Sequence, residues 1–188
     1  MYLSRRQDIC VCLDIKIFSE QAMCMDHVDF IIDQWTRERP DLNVSAMGII
    51  GRVARLYMAY QEGMQQTFAR FGLNAAKFDV LATLRRAGAP YQLSPGELLK
   101  ATMVASGTMT NRIARLEADG LVLRQLNPED SRSFLIELSP AGLDLIDQVV
   151  EDHVVTQERM LAAMPEEERR AFKTLLSRAQ AAVEQAGS

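Results

Sequence analysis

The sequence predicts a mainly α-helical fold with one small β-hairpin. Three observations predict it. Apolar residues recur every three or four positions over most of residues 26–185. The period drops to two only across residues 122–138. Between the periodic stretches stand residues that cap or stop helices, serine and asparagine at the starts and glycine at the ends.

The elements follow in order. Val28, Ile31, Ile32 and Trp35 form one apolar stripe on a short helix, and Arg39-Pro40 ends it, because the residue before proline avoids helical angles. Ser45 is the expected cap of a long helix whose stripe is Ile49, Val53, Leu56, Tyr60, Met64 and Phe68, with Gly72 as its stop. Asn74 caps a third helix carrying Phe78, Leu81, Ala82 and Leu84, which ends before Gly88-Ala89-Pro90. Ser94-Pro95-Gly96-Glu97 is a capping box with proline at the first helical position. After a turn, Ser106 is the expected cap of a helix from Gly107 to about Asp119, with Met109, Ile113 and Leu116 facing inward and Gly120 as stop.

Val122–Leu126 and Ser133–Leu138 then read as two strands around the polar loop Asn127-Pro128-Glu129-Asp130-Ser131. Ser139-Pro140 starts a helix with Leu143, Ile146, Val149 or Val150, and Val154 on one face. Pro165-Glu166-Glu167-Glu168 opens the last helix with acids at its positive end, and its stripe is Phe172, Leu175, Leu176, Ala179 and Val183.

Composition narrows the function classes. Of 188 residues, 48% are apolar and 24% charged, a globular balance that suits one domain with helical arms. No apolar run approaches the roughly 20 residues that span a bilayer, so no membrane segment is expected. The three cysteines, Cys10, Cys12 and Cys24, all fall in the first 24 residues, which is no disulfide scaffold. His27 and His153 are too far apart for the usual zinc spacing, and neither a metal nor a cofactor is expected. Residues 1–25 show no helical period, cap or export signal. They are expected to be a disordered tail or to follow a mis-assigned start, with Met23 and Met25 as alternative initiators, in a cytoplasmic protein. The net charge is −4, yet residues 44–93 carry six basic and only two acidic side chains. An acidic protein can still read DNA if a local surface meets phosphate.

Two short helices, a turn and a hairpin make a winged helix-turn-helix, with residues 94–119 as the helix pair and 121–138 as the wing. The second helix would enter the major groove. Its polar residues Ser106, Thr108, Thr110, Asn111, Arg112 and Arg115 can bond base edges or phosphates. At the wing tip, Arg132 can reach a narrow minor groove, where the negative potential is enhanced, with the Asp130 carboxylate near enough to hold its guanidinium.

Residues 45–183 resemble the multiple-antibiotic-resistance regulator (MarR) family of transcription factors. The resemblance rests on the long helix before the helix-turn-helix, on Asn-Pro-Glu-Asp-Ser-Arg-Ser in the wing, and on Leu-Ser-Pro-Ala-Gly after it. Asn127 stands where the family's wing usually has aspartate, while Asp130 and Arg132 match. The resemblance implies a repressor that is an obligate homodimer and reads a palindromic site on double-stranded DNA. Residues 72–139 would be its DNA-binding domain, and 45–71 and 140–185 its dimerisation helices.

An extra N-terminal helix and linker at 26–44, with the stretches around Asp79, Arg112 and Arg124, resemble the urate-responsive subgroup of that family. Its signature of a tryptophan, an aspartate and two arginines matches Trp35, Asp79, Arg112 and Arg124. The resemblance implies that Trp35 and Arg112 contact a urate-like anion, and that Asp79 and Arg124 form a charge pair linking the pocket to the recognition helix. The chemistry is sound from below. An indole offers a stacking surface to a planar anion, and a guanidinium matches a delocalised oxyanion in two places. An anion beside Asp79 would repel its carboxylate and tilt an element that also reads DNA.

Other readings are a MarR-type regulator triggered by phenolic compounds or by thiol oxidation, and a helical interaction module without DNA binding. An enzyme is not expected. The sequence has no glycine-rich phosphate loop, no nucleophile elbow and no base to partner Asp79.

Overall fold

In the computed structural model, residues 25–102, 109–128, 130 and 132–187 are described. Their order is α1 (His27–Glu38), α2 (Ser45–Ala69), α3 (Ala75–Arg86), β1 (Gln92–Leu93), α4 (Pro95–Ala101), α5 (Met109–Ala118), β2 (Val122–Leu126), β3 (Phe134–Leu138), α6 (Pro140–Met160) and α7 (Glu166–Ala186). The mainly helical fold with a wing is as expected. The expected tail at 1–25 lies outside the described residues save for Met25, and so do Ser106 and Gly107 at the expected start of α5.

The chain divides into two compact units, one ending at Met58 and one beginning at Ala59. In the first, Asp26 caps α1. Its carboxylate accepts from the backbone N–H groups of Val28 and Asp29, and Asp29 reaches back to the Asp26 N–H, which closes a capping box. Arg52 of α2 donates to Asp26 at 3.0 Å and to Asp29 at 2.6 Å. That guanidinium holds the Asp29 carboxyl below its ordinary value. The cap of α2 differs from expectation. Ser45 is already helical, and Asn43 Oδ1 accepts from its N–H at 3.1 Å. The longer Asn side chain two residues upstream takes the orphan donor that Ser45 was expected to serve elsewhere.

The second unit holds the main core. Leu81 and Leu84 of α3, Leu98 of α4, Ile113 and Leu116 of α5, and Ile136, Ile146 and Val149 beyond them are essentially free of solvent. Each such side chain contributes roughly 1.5–3 kcal/mol by leaving water. Val149, not Val150, is the fully buried member of the α6 stripe. Val154 is exposed in the single chain, as are Leu175, Leu176 and Val183 of α7, which buries no residue at all.

The expected hairpin of β2 and β3 is present, and β1 joins it as a third antiparallel strand in the order β1-β3-β2. β1 pairs Gln92 with Glu137 and Leu93 with Ile136. A strand of two residues has no readable period, so only its neighbour reveals it. β3 alternates as expected, burying Ile136 and Leu138. β2 buries only Val122, because its outer half runs past the core.

Two glycines are dictated by geometry. Gly72 takes φ 68°, the left-handed angle that ends α2. A Cβ on Gly142 would lie 2.0 Å from the Leu121 carbonyl oxygen, so only glycine lets the first turn of α6 approach the entry to β2. Ser139 completes that joint. Its Oγ accepts from the Gly142 N–H at 2.9 Å and donates to the Gly120 carbonyl at 2.7 Å.

Candidate functional site

The second unit sets out the helix-turn-helix from local signals. Ser94 accepts from the Glu97 N–H, and Glu97 accepts from the Ser94 N–H at 2.8 Å, closing the predicted capping box. These bonds hold the Glu97 carboxyl below its ordinary value. At the other end of α4, Arg86 of α3 donates to the Ala101 carbonyl, supplying a partner to one of the last carbonyl groups of the helix.

α5 buries Met109, Ile113 and Leu116 and turns Thr110, Asn111 and Arg115 to solvent. Arg112 lies between these faces and is half-buried. Ser106 and Thr108, also expected on the reading face, lie outside the described residues. A polar exposed edge with one cation and one carboxamide is suited to hydrogen bonds with base edges and phosphates.

The wing tip is held by its own side chains. Asp130 Oδ1 accepts from the Arg132 backbone N–H at 3.0 Å, so the carboxylate shapes the turn that presents Arg132. Its expected role was to hold the guanidinium. Asn127 Nδ2 donates to Ser133 Oγ at 3.1 Å, and Ser133 Oγ donates to the Asp130 carbonyl at 3.0 Å. A carboxamide suits this chain of bonds, because an aspartate at 127 has no donor to offer. Arg132 stands exposed at the tip.

The four residues singled out for an anion fall in different places. Trp35 belongs to the first unit, on α1, and is 42% exposed. The other three belong to the second unit. Asp79 lies on α3 with its Oδ2 buried, and its carbonyl accepts from Thr83 Oγ1 at 2.6 Å. Arg112 lies on α5 and Arg124 on β2. The resemblance pairs Arg124 with Asp79. Arg124 Nε also donates to Glu117 Oε2 of α5 at 2.8 Å.

Sequence reasoning passed over Glu117 and its neighbour Asp119, which pairs with Lys77 of α3 at 2.5 Å. One signal was available. Both acids sit at the C-terminal end of a helix, where the backbone dipole disfavours negative charge. Among the described residues no cluster of His, Cys, Asp or Glu could hold a metal ion, and no helix is long and apolar enough to cross a membrane.

Comparison with known proteins agrees with this arrangement. A family model described as the MarR family matches residues 71–133. The HTH-type transcriptional regulator PecS of Dickeya dadantii (strain 3937) is 40% identical over 151 residues, 80% of this chain and 91% of PecS. A solved structure of Bordetella bronchiseptica BpsR, described with regulation of its DNA binding by 6-hydroxynicotinic acid, is 29% identical with a TM-score of 0.61, over 69% of this chain and 91% of that one. A cysteine-to-serine mutant of Escherichia coli MarR, solved with operator DNA, shares the fold at a TM-score of 0.61 and 22% identity, over 77% of this chain and 96% of that one. These relatives are regulators of transcription, not enzymes. With the helix-turn-helix, the wing and a near full-length relative at this identity, the chain belongs to the MarR family of HTH-type transcriptional regulators.

Proposed function

We propose that this chain is a homodimeric repressor that binds a palindromic operator and is released by a small planar anion such as urate. The observation that carries the DNA half is the exposed edge of α5, with Thr110, Asn111 and Arg115, beside a wing tip that presents Arg132. Ser106, Thr108 and Arg112 complete the set of reading residues, and Asp130 sets the wing turn. α5 enters the major groove and the wing follows the adjacent minor groove. A dimer reads two half-sites, and the apolar side chains left exposed on α2, α6 and α7 supply its interface. Residues 45–71 and 140–185 form that interface, 72–139 read the DNA, and 26–44 add the helix that carries Trp35. The protein works in the cytoplasm, on DNA.

The effector half rests on Trp35, Asp79, Arg112 and Arg124, and on the 40% identity to PecS. A planar monoanion stacks on the indole of Trp35 and meets the Arg112 guanidinium, while its charge acts on Asp79 and, through it, on Arg124. A second reading keeps the same chemistry with another ligand. BpsR is described with 6-hydroxynicotinic acid, also a flat aromatic acid, and its chain is 29% identical to this one. Oxidation as the trigger would fall to Cys10, Cys12 and Cys24, which lie outside the described residues.

A gel-shift titration on DNA upstream of this protein's own gene tests the proposal, with urate or 6-hydroxynicotinate added in parallel. Retardation relieved by urate is the expected result. Relief by 6-hydroxynicotinate alone selects the second reading, and retardation that neither relieves defeats the planar-anion reading. Trp35→Phe is expected to weaken the response to urate while leaving operator affinity nearly unchanged in the same titration. Loss of folding in that variant would make Trp35 a packing residue instead.

A further inference from the structure

We propose that Lys77 and Asp119 are positioning residues for operator reading. Their ion pair, seconded by Arg124–Glu117, fixes the angle of α5 against the body of its unit. The inference rests on α5 being the element that enters the groove.

Three observations carry it. First, Glu117 and Asp119 stand in the closing turn of α5, where Gly120 takes φ 72° and its N–H bonds the Glu117 carbonyl at 3.0 Å. Two carboxylates at the negative end of a helix dipole oppose the local rule. Such a departure is stable where each charge meets a partner from elsewhere in the fold. Second, each does meet one, and the partners come from two different elements. Lys77 Nζ reaches Asp119 Oδ2 at 2.5 Å from α3, and Arg124 Nε reaches Glu117 Oε2 at 2.8 Å from β2. Third, Lys77 is not a loose surface lysine. Its backbone N–H is fixed by the Asn74 cap at 2.9 Å, and its side chain is only 22% exposed.

The lever is short and steep. α5 has ten residues, so its reading end is about 15 Å from the clamped end at 1.5 Å per residue. A tilt of about 5° at the clamp moves the reading end by about 1.3 Å at that helix length. Hydrogen bonds to base edges tolerate a few tenths of an ångström. Packing of Met109, Ile113 and Leu116 fixes which face of α5 is inward, but apolar contacts are not directional and resist rocking weakly. Two ion pairs on different elements remove that freedom. Lys77 and Asp79 also share α3, so a shift of α3 on effector binding would be passed to α5 through this pair.

The test is an anisotropy titration of the full chain on operator and on non-operator DNA at several salt concentrations. Lys77→Met and Asp119→Asn are each expected to weaken operator binding about fivefold and to leave non-operator binding and the salt slope unchanged. The exchange Lys77→Asp with Asp119→Lys is expected to restore operator affinity, as is Lys77→Arg. A fall of about one in the salt slope of Lys77→Met would make Lys77 a phosphate contact and overturn the proposal. So would equal losses on both DNAs, no loss, or failure of the exchange to rescue. Arg115→Ala serves as the control. If it too leaves operator binding unchanged, α5 is not the reading element and the broader reading fails. If it weakens binding while Lys77→Met does not, the clamp alone fails. Thermal melts of each variant separate a loss of fold from a loss of position.

Discussion

Single residues in this protein often serve a joint between elements. Gly142 is the sharpest case, since any side chain there would collide with the Leu121 backbone. Backbone cannot swing aside as a side chain does, so α6 would have to move from the wing. Gly142→Ala is expected to lower stability by about 2–3 kcal/mol, read from chemical denaturation. His153 is a different case. Its ring packs against the stacked pair of Phe68 of α2 and Phe78 of α3, at 5.7 and 4.8 Å between ring centres, and its Nδ1 is buried without a hydrogen-bond partner among the described residues. Its own helix offers Asp152 next to it, but that carboxylate is paired with Arg70 at 2.9 Å. Burial therefore pushes the His153 pKa below 6.5. The sign follows directly. The unfolded chain takes up this proton more readily, so the histidine's contribution is fully present above pH 6.5 and is lost as pH falls through the folded value. Denaturation midpoints measured from pH 7.5 to 5 should decline for the parent chain. They should decline less for His153→Phe, which keeps the ring contacts and removes the titration.

Among the elements, the wing and α5 follow different rules. The wing tip is stabilised locally, by side chains within six positions of one another. α5 is stabilised across distance, and the Lys77–Asp119 pair spans 42 positions. Local bonds make the tip a preset hook, so a change at its exposed end should act on DNA and little else. Arg132→Ala is expected to weaken operator and non-operator binding together and to lower the salt slope by about one, the signature of a lost phosphate or minor-groove cation. Its response to urate should be unchanged, because Arg132 is not one of the four residues proposed for the anion. A specific loss confined to the operator would instead make Arg132 a base reader.

At the scale of the whole molecule, the notable feature is the apolar surface left on helices outside the main core. On α7 no residue is buried, yet Leu175, Leu176 and Val183 recur at helical spacing. On α2, Ile49, Ile50, Val53 and Leu56 are likewise exposed. A contiguous stripe of this kind marks an interaction surface. Light scattering of the purified chain is expected to give the mass of two chains, as the dimer reading requires. Leu175→Glu with Leu176→Glu is expected to yield a folded monomer that no longer retards operator DNA, since half-sites one turn apart need both copies. A dimer that survives both changes would remove α7 from the interface.

The sequence by itself determined the helices, their stops and the polar faces. Caps, glycine stops and apolar periods involve residues within about four positions of each other, and that is the range over which a chain specifies local structure. So Ser94, Asn74, Ser139, Gly72 and Gly120 stand where they were expected, and the wing motif led to the family that the comparisons also find. Tertiary structure decided the partners. That Lys77 meets Asp119 and that Gln92–Leu93 adds a third strand depend on segments brought together across long stretches of chain, and that Arg124 meets Glu117 depends on how β2 turns back along α5. An ion pair is chosen by which charges lie within reach after packing, and a two-residue strand by the edge it finds. Neither leaves a period or a cap in the sequence.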